Sequence, residues 1–205
     1  VNPCHHPSGD ILAAYASGVQ EPGFGLVVAA HVESCSTCRA RVGAFEAASG
    51  AAFDQLPTAE LGADALARTL ARLDAPDAGP SPEDGRPLVE RLPLKAKRWV
   101  APGVWAAPVD TPHAPQNRVY VLSVAKGMVA ARHTHSGAEY CTVLKGAYRD
   151  ELGLFAAGDF ASAGDELSHQ PIVEGDEACV CLFATEGRLR PQGWLGRLAF
   201  ALADV

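Results

Sequence analysis

One stretch, DAPDAGPSPEDGRP from Asp74 to Pro87, constrains this chain more than any other. It is dense in proline, glycine and acid and has no apolar periodicity. Proline removes a backbone donor and glycine loses most entropy on ordering, so such a run joins neither helix nor sheet. Structureless loops of this length are uncommon inside one compact unit. The chain is therefore expected to fold as two units, residues 1–73 and 89–205, joined by a flexible, solvated linker over 74–88.

The two sides of the break differ in texture. Before it, the sequence is rich in Ala and Leu and carries helix punctuation. Ser8 can cap a helix carrying Ile11, Leu12 and Tyr15 that stops at Gly18. Pro22 can open a second helix with Phe24, Val27, Val28 and His31 on one face. Ser36 can start a third, running past Val42 and Phe45 towards Phe53. Thr58 is expected to cap a fourth, with Leu66, Leu70 and Leu73 as an apolar stripe, half of it packed on the other helices. After the break, RVYVLSVA, EYCTVLKGAY and EACVCLFA are β-branched or alternating, with glycine and aspartate turns between them. Several short strands so spaced predict a barrel or sandwich. A C-terminal tail, RPQGWLGRLAFALADV, is expected to pack Trp194, Leu198 and Phe200 on it. The fold class is thus multidomain α + β, a small all-α domain followed by an all-β one.

With 205 residues and 48% hydrophobic content the chain can bury a core, and no apolar run approaches the ~18 residues of a membrane span. Its net charge is −7 without a Lys/Arg-rich segment, which disfavours direct nucleic-acid binding and favours protein partners with basic surfaces. No signal peptide is visible in VNPCHHPSGD, although the missing Met leaves room for a removed leader. Six cysteines in a chain that needs no disulfides for stability point to a reducing cytoplasm and to metal or redox roles.

Four of the cysteines and most histidines fall in clusters. HVESCSTC places His31 and Cys35 four apart, on one face of the second helix, with Cys38 across the turn into the third. Three ligands can converge there for tetrahedral zinc; Cys4, His5 and His6 are candidates for the fourth. A disulfide, or no function at all, remains open on spacing alone. HHPSGDILAAYASG followed by LVVAAHVESCSTCRARVGAFEA is similar to the zinc-binding domain of ChrR-type anti-sigma factors. That resemblance implies His6, His31, Cys35 and Cys38 as zinc ligands. It also implies an extracytoplasmic-function sigma factor as partner, held by the helical domain so that RNA polymerase cannot bind it.

The second cluster, GMVAARHTHSGAEYCTVLKG, reads G-x5-H-x-H-x3-E-x6-G. His133 and His135 lie two apart and share a strand face, and Glu139 returns from the following turn, so all three can line a barrel. This stretch resembles the first motif of the cupin superfamily. Its second motif is partial: Gly158 and His169 match, while Gly164, Glu166 and Val173 replace proline, glycine and asparagine. The resemblance implies a jelly-roll barrel in which His133, His135, Glu139 and His169 hold zinc or another divalent metal such as Mn, Fe or Ni. In ChrR-type proteins such a barrel serves the response to singlet oxygen and related oxidants. Cys179 and Cys181 share a strand face; two buried hydrophobes is the plainer reading, with oxidant sensitivity as the functional one. The expectation is a non-enzymatic regulator. Its rivals are a metal-dependent cupin enzyme, dioxygenase- or isomerase-like, with an N-terminal scaffold, and a metal-sensing regulator.

Overall fold

The computed structural model describes residues 2–73, 86–111, 117–187 and 190–191. Most of the expected linker and the residues Trp194, Leu198 and Phe200 lie outside these.

The first three helices form where the punctuation predicts them. Helix α1 (Gly9–Ala16) starts after Ser8, whose side chain accepts from the Ile11 N–H, and ends before Gly18 at φ +71°. Helix α2 (Pro22–Ser34) has proline in its first turn, where no amide partner is lost, and buries Phe24, Val27, Val28 and His31. Cys35 ends α2 in an extended conformation and caps α3 (Ser36–Phe53), its sulfur accepting from the Cys38 N–H. Helix α4 departs from expectation: it spans Ala65–Leu73, not the whole run from Thr58, and none of its residues is buried. Gly62 and the polar residues before it supply no apolar face for a longer helix. Leu66, Leu70 and Leu73 are 71, 51 and 76% exposed, so the half-packed stripe is absent. A short helix, α5 (Leu88–Arg91), follows, its Leu88 N–H bonded to the Glu33 carboxylate at 2.9 Å.

The rest is sheet. Strands β1 (Arg98–Ala101), β2 (Val104–Pro108) and β3 (Arg118–Val124) lead to β4 (His133–Thr134), β5 (Glu139–Lys145), β6 (Ala147–Asp150) and β7 (Gly153–Ala156). Then come β8 (Phe160–Ala163), β9 (Ile172–Glu174), β10 (Cys179–Thr185) and β11 (Arg190–Pro191). A six-stranded sheet runs β1-β2-β3-β10-β5-β8, faced by β7-β6-β9 and by the pair β11-β4. All described pairings are antiparallel, as hairpin-linked strands allow.

The run CVCLFA is apolar throughout because β10 is covered on both faces. Cys179 and Cys181 face the barrel interior with Cys141, Val143, Tyr148 and Phe155. Leu182 and Ala184 belong to a second cluster with Leu12, Phe24, Val27 and Val28 of the helices. The helices thus lie on the outside of the large sheet and share a core with it, which the sequence texture did not anticipate. Fully burying each such aliphatic side chain contributes roughly 1.5–3 kcal/mol. Gly23 allows the close approach of α2: a Cβ there would sit 2.7 Å from the Asn117 Cβ. On β5, Thr142 points to the same layer and donates to the Val27 carbonyl at 2.8 Å.

Candidate metal centres

In the helical part, His6, His31, Cys35 and Cys38 bring their donor atoms within 4.8 Å of one another. His6 Nδ1 lies 3.4 Å from both sulfurs. A tetrahedral zinc with ordinary Zn–S and Zn–N bonds would separate such donors by about 3.5 Å. His31 Nδ1 donates to the Gly158 carbonyl at 2.7 Å, which leaves Nε2 as the lone-pair nitrogen. That Nε2 is buried with no hydrogen-bond partner among the described residues. Burial holds His31 below its ordinary pKa, against the pull of that carbonyl, so the ring is neutral. Cys35 sits at the N-terminus of α3, its sulfur 3.5 Å from the Cys38 N–H. Burial, and then Cys35 beside it, push the Cys38 thiol up to about 11. Two buried sulfurs and two imidazoles converging on one point are a donor set that suits a divalent ion preferring sulfur and nitrogen.

Of the three N-terminal candidates for the fourth ligand, His6 alone joins the cluster. Cys4 is exposed, its sulfur 3.9 Å from the Asn2 carbonyl. His5 turns the other way, its Nδ1 3.3 Å from Asp159 Oδ2 and its ring tilted against Phe155 with centroids 4.2 Å apart. Asp159 stays below the ordinary carboxylate pKa: burial opposes ionisation, but the N–H groups of Ala156, His5 and Cys4 outweigh it.

The barrel cluster forms as the H-x-H-x3-E spacing requires. His133, His135, Glu139 and His169 are all buried, with donor atoms within 4.8 Å of one another. His133 and His169 form an antiparallel bridge, each N–H donating to the other's carbonyl at 3.1 Å, so their Nε2 atoms meet at 3.0 Å. His135 Nε2 is 3.2 Å from Glu139 Oε1. Glu139 Oε2 is buried without a hydrogen-bond partner among the described residues, the condition a cation relieves. Burial lowers the His133 pKa; for His135, burial pulls down but Glu139 more than reverses it. The outer nitrogens are held too. His133 Nδ1 donates to the Ala131 carbonyl and His169 Nδ1 to Asp150 Oδ2, both at 2.8 Å. Such outer contacts fix tautomer and ring orientation in metal sites. Asp150 was missed by sequence reasoning, because nothing in the spacing shows that the β6 end meets His169.

A cavity of about 100 Å³ adjoins this site, lined by Tyr120, Cys141, Tyr148, Cys179, Cys181 and Phe183 among others. The Cys179 and Cys181 sulfurs are 3.6 Å apart, too far for a disulfide. Their thiols are pushed well up, Cys179 by its bond to Cys181 and by burial, Cys181 by its bond to Cys141 and by burial. Cys141 is raised chiefly by burial. All three are therefore protonated and poor nucleophiles at neutral pH.

A helical layer carrying a His2Cys2 set lies on a barrel carrying a buried His3Glu set, so one fold holds two candidate metal sites. The family model described as "ChrR Cupin-like domain" matches residues 92–189. The anti-sigma-E factor ChrR of Cereibacter sphaeroides is 35% identical over 202 residues, covering 95% of each chain. The crystal structure of Rhodobacter sphaeroides SigE in complex with the anti-sigma ChrR matches with a TM-score of 0.78 at 36% identity, over 90% of this chain and all of that one. This chain belongs to the ChrR family of anti-sigma factors. No described helix is long and apolar enough to cross a membrane.

Proposed function

We propose that this chain is a cytoplasmic anti-sigma factor with no enzymatic role. Residues 1–73, held by zinc on His6, His31, Cys35 and Cys38, sequester an extracytoplasmic-function sigma factor. Residues 89–205 are the barrel that responds to singlet oxygen or related oxidants and loosens that grip, and 74–88 join the two. The observation that carries this reading is the full-length match to an anti-sigma factor, whose solved structure is a complex with SigE, combined with both ligand sets assembled here. The exposed leucines of α4 supply an apolar surface fit for a partner's groove. None of the six cysteines is in a disulfide, as a reducing compartment requires.

Zinc suits the His2Cys2 set, where it would tie the N-terminal segment to both helix ends and supply folding energy. The His3Glu set accepts zinc, Mn, Fe or Ni. Release can proceed through altered ligation of that site or through oxidation of Cys179 and Cys181. Their place on the cavity wall beside that site favours the second route and their protonated state slows it. The cavity beside the barrel site is the observation that favours a metal-dependent enzyme instead.

The test is co-purification of the full-length chain with the extracytoplasmic-function sigma factors of its own organism, before and after exposure to photosensitiser and light. Stable pairing that dissolves on illumination is expected. Failure to bind any of them would overturn the reading, and turnover of a small substrate lost on His133→Ala would favour the enzyme.

A further inference from the structure

The metal cluster of the helices is not completed by the helices. His31 comes from α2, but the acceptor that holds its Nδ1–H is the Gly158 carbonyl, in the β7–β8 turn of the barrel, at 2.7 Å. His6 is fixed by the same turn, through the peptide that precedes it. Asp159 Oδ1 accepts from the N–H groups of Cys4 and His5, at 2.6 and 2.9 Å, and the Phe160 N–H donates to the His5 carbonyl at 3.1 Å. Asp159 is itself anchored, its other oxygen accepting from the Ala156 N–H at 2.8 Å. Gly158 has φ +93°, and a Cβ there would meet Pro3 Cγ at 2.9 Å, so the N-terminal segment lies directly against the turn.

We propose that Gly158 and Asp159 of the barrel are positioning residues for the metal site of the helical domain, so that the barrel sets how tightly that site holds its ion. The inference rests on the reading of His6, His31, Cys35 and Cys38 as metal ligands. Its physical basis is general: a ligating histidine needs its second nitrogen held by an acceptor, and loss of that outer contact weakens metal binding by about 10–100-fold. Packing of one domain on another does not require that the packing group also fix a ligand's tautomer, yet Gly158 does so for His31. The turn is in turn tied to the barrel's own site. The Gly158 N–H donates to the Val143 carbonyl at 2.8 Å, and the Val143 N–H to the Asp159 carbonyl at 3.0 Å. Val143 lies on β5, which begins at the ligand Glu139. β5 thus joins the barrel site to the turn that holds His6 and His31. Spatial continuity alone does not establish coupling; metal affinity does.

The experiment titrates Co(II) into the metal-free full-length chain. Cobalt bound by Cys35 and Cys38 gives an intense thiolate charge-transfer band, whereas cobalt on the nitrogen and oxygen ligands of the barrel gives only weak visible bands. Asp159→Ala is expected to weaken the thiolate-linked site about 10–100-fold and to leave the barrel bands unchanged. If that variant loses both sets of bands through misfolding, Asp159→Asn, which keeps the shape and removes the charge, decides by the same criterion. A thiolate band with unaltered affinity in a folded variant overturns the proposal while leaving the metal site intact. Absence of any thiolate band in the unaltered chain overturns the site reading itself, and with it this inference.

Discussion

Replacing Leu66, Leu70 and Leu73 together by alanine separates partner binding from folding. None of the three is buried, and alanine has the highest helix propensity, so α4 and the melting temperature should be unchanged within about 1 °C. Their exposures of 71, 51 and 76% together expose about two whole leucine side chains. Each Leu→Ala change removes three carbons, worth about 0.8 kcal/mol apiece when fully buried, so the stripe can lose about 5 kcal/mol of docking energy at most. Association recovers only part of such area because side chains must also be ordered. A loss of about 2–4 kcal/mol is expected, that is, roughly 30- to 1,000-fold in Kd for the sigma factor. Isothermal titration calorimetry of the full-length variant, with differential scanning calorimetry alongside, reads both quantities. Unchanged affinity would show that the exposed stripe is not the docking face. A fall in melting temperature of several degrees would show that the leucines pack on this chain and that their exposure has been misread.

Other substitutions address the two metal sites. Cys35→Ser with Cys38→Ser should abolish metal uptake by the helical site and partner binding together, because the ion links α2, α3 and the N-terminal segment; retained binding without metal would show the site is not structural. Asp150→Asn should weaken metal binding in the barrel about 10–100-fold, read by chelator competition, since His169 Nδ1 then loses its carboxylate partner. His133→Ala or Glu139→Ala should leave sigma-factor binding intact but blunt release on illumination. Metal uptake by the barrel should also depend on pH. His135 keeps its proton above its ordinary pKa because of Glu139, so below that value an incoming ion must displace a proton, and affinity should fall up to about tenfold per pH unit. In the metal-free barrel the sign is opposite. The raised pKa of His135 contributes stability that is complete below its unfolded value near 6.5 and is lost as pH rises through the folded one.

Much of this was legible because it is local. The helix starts at Ser8, Pro22 and Ser36, and the alternation in β3, β5 and β10, depend on residues within one turn or one strand. The H-x-H-x3-E spacing works the same way, since strand geometry alone points His133 and His135 to one side. What was not legible depends on register between distant segments. Asp150 meets His169 only through the pairing of β6 with β9 and the bridge at His133, and no spacing rule records either. The role of Asp159 was hidden for the same reason, although Gly158 beside it matches the second cupin motif. Nor does spacing separate Cys4, His5 and His6: it is Asp159 that draws the Cys4 and His5 amides to the barrel, with His6 Nδ1 at the sulfurs.

The difference between the two clusters follows from what surrounds them. The His2Cys2 set spans the N-terminal segment, α2 and α3, and a barrel carbonyl holds the Nδ1–H of His31. An ion there is a crosslink, and its loss frees three elements at once. The His3Glu set lies inside a sheet that hydrogen bonds already hold, beside a cavity of about 100 Å³. That cavity gives the proposed sensing site a space for a small reagent, and the surrounding strands are paired through their own backbone. A sensor needs access and a scaffold that survives the signal; an inhibitor needs a shape that fails when released. On the proposed reading these opposed demands fall on opposite faces of one sheet, with β5 and β10 carrying residues packed against both clusters.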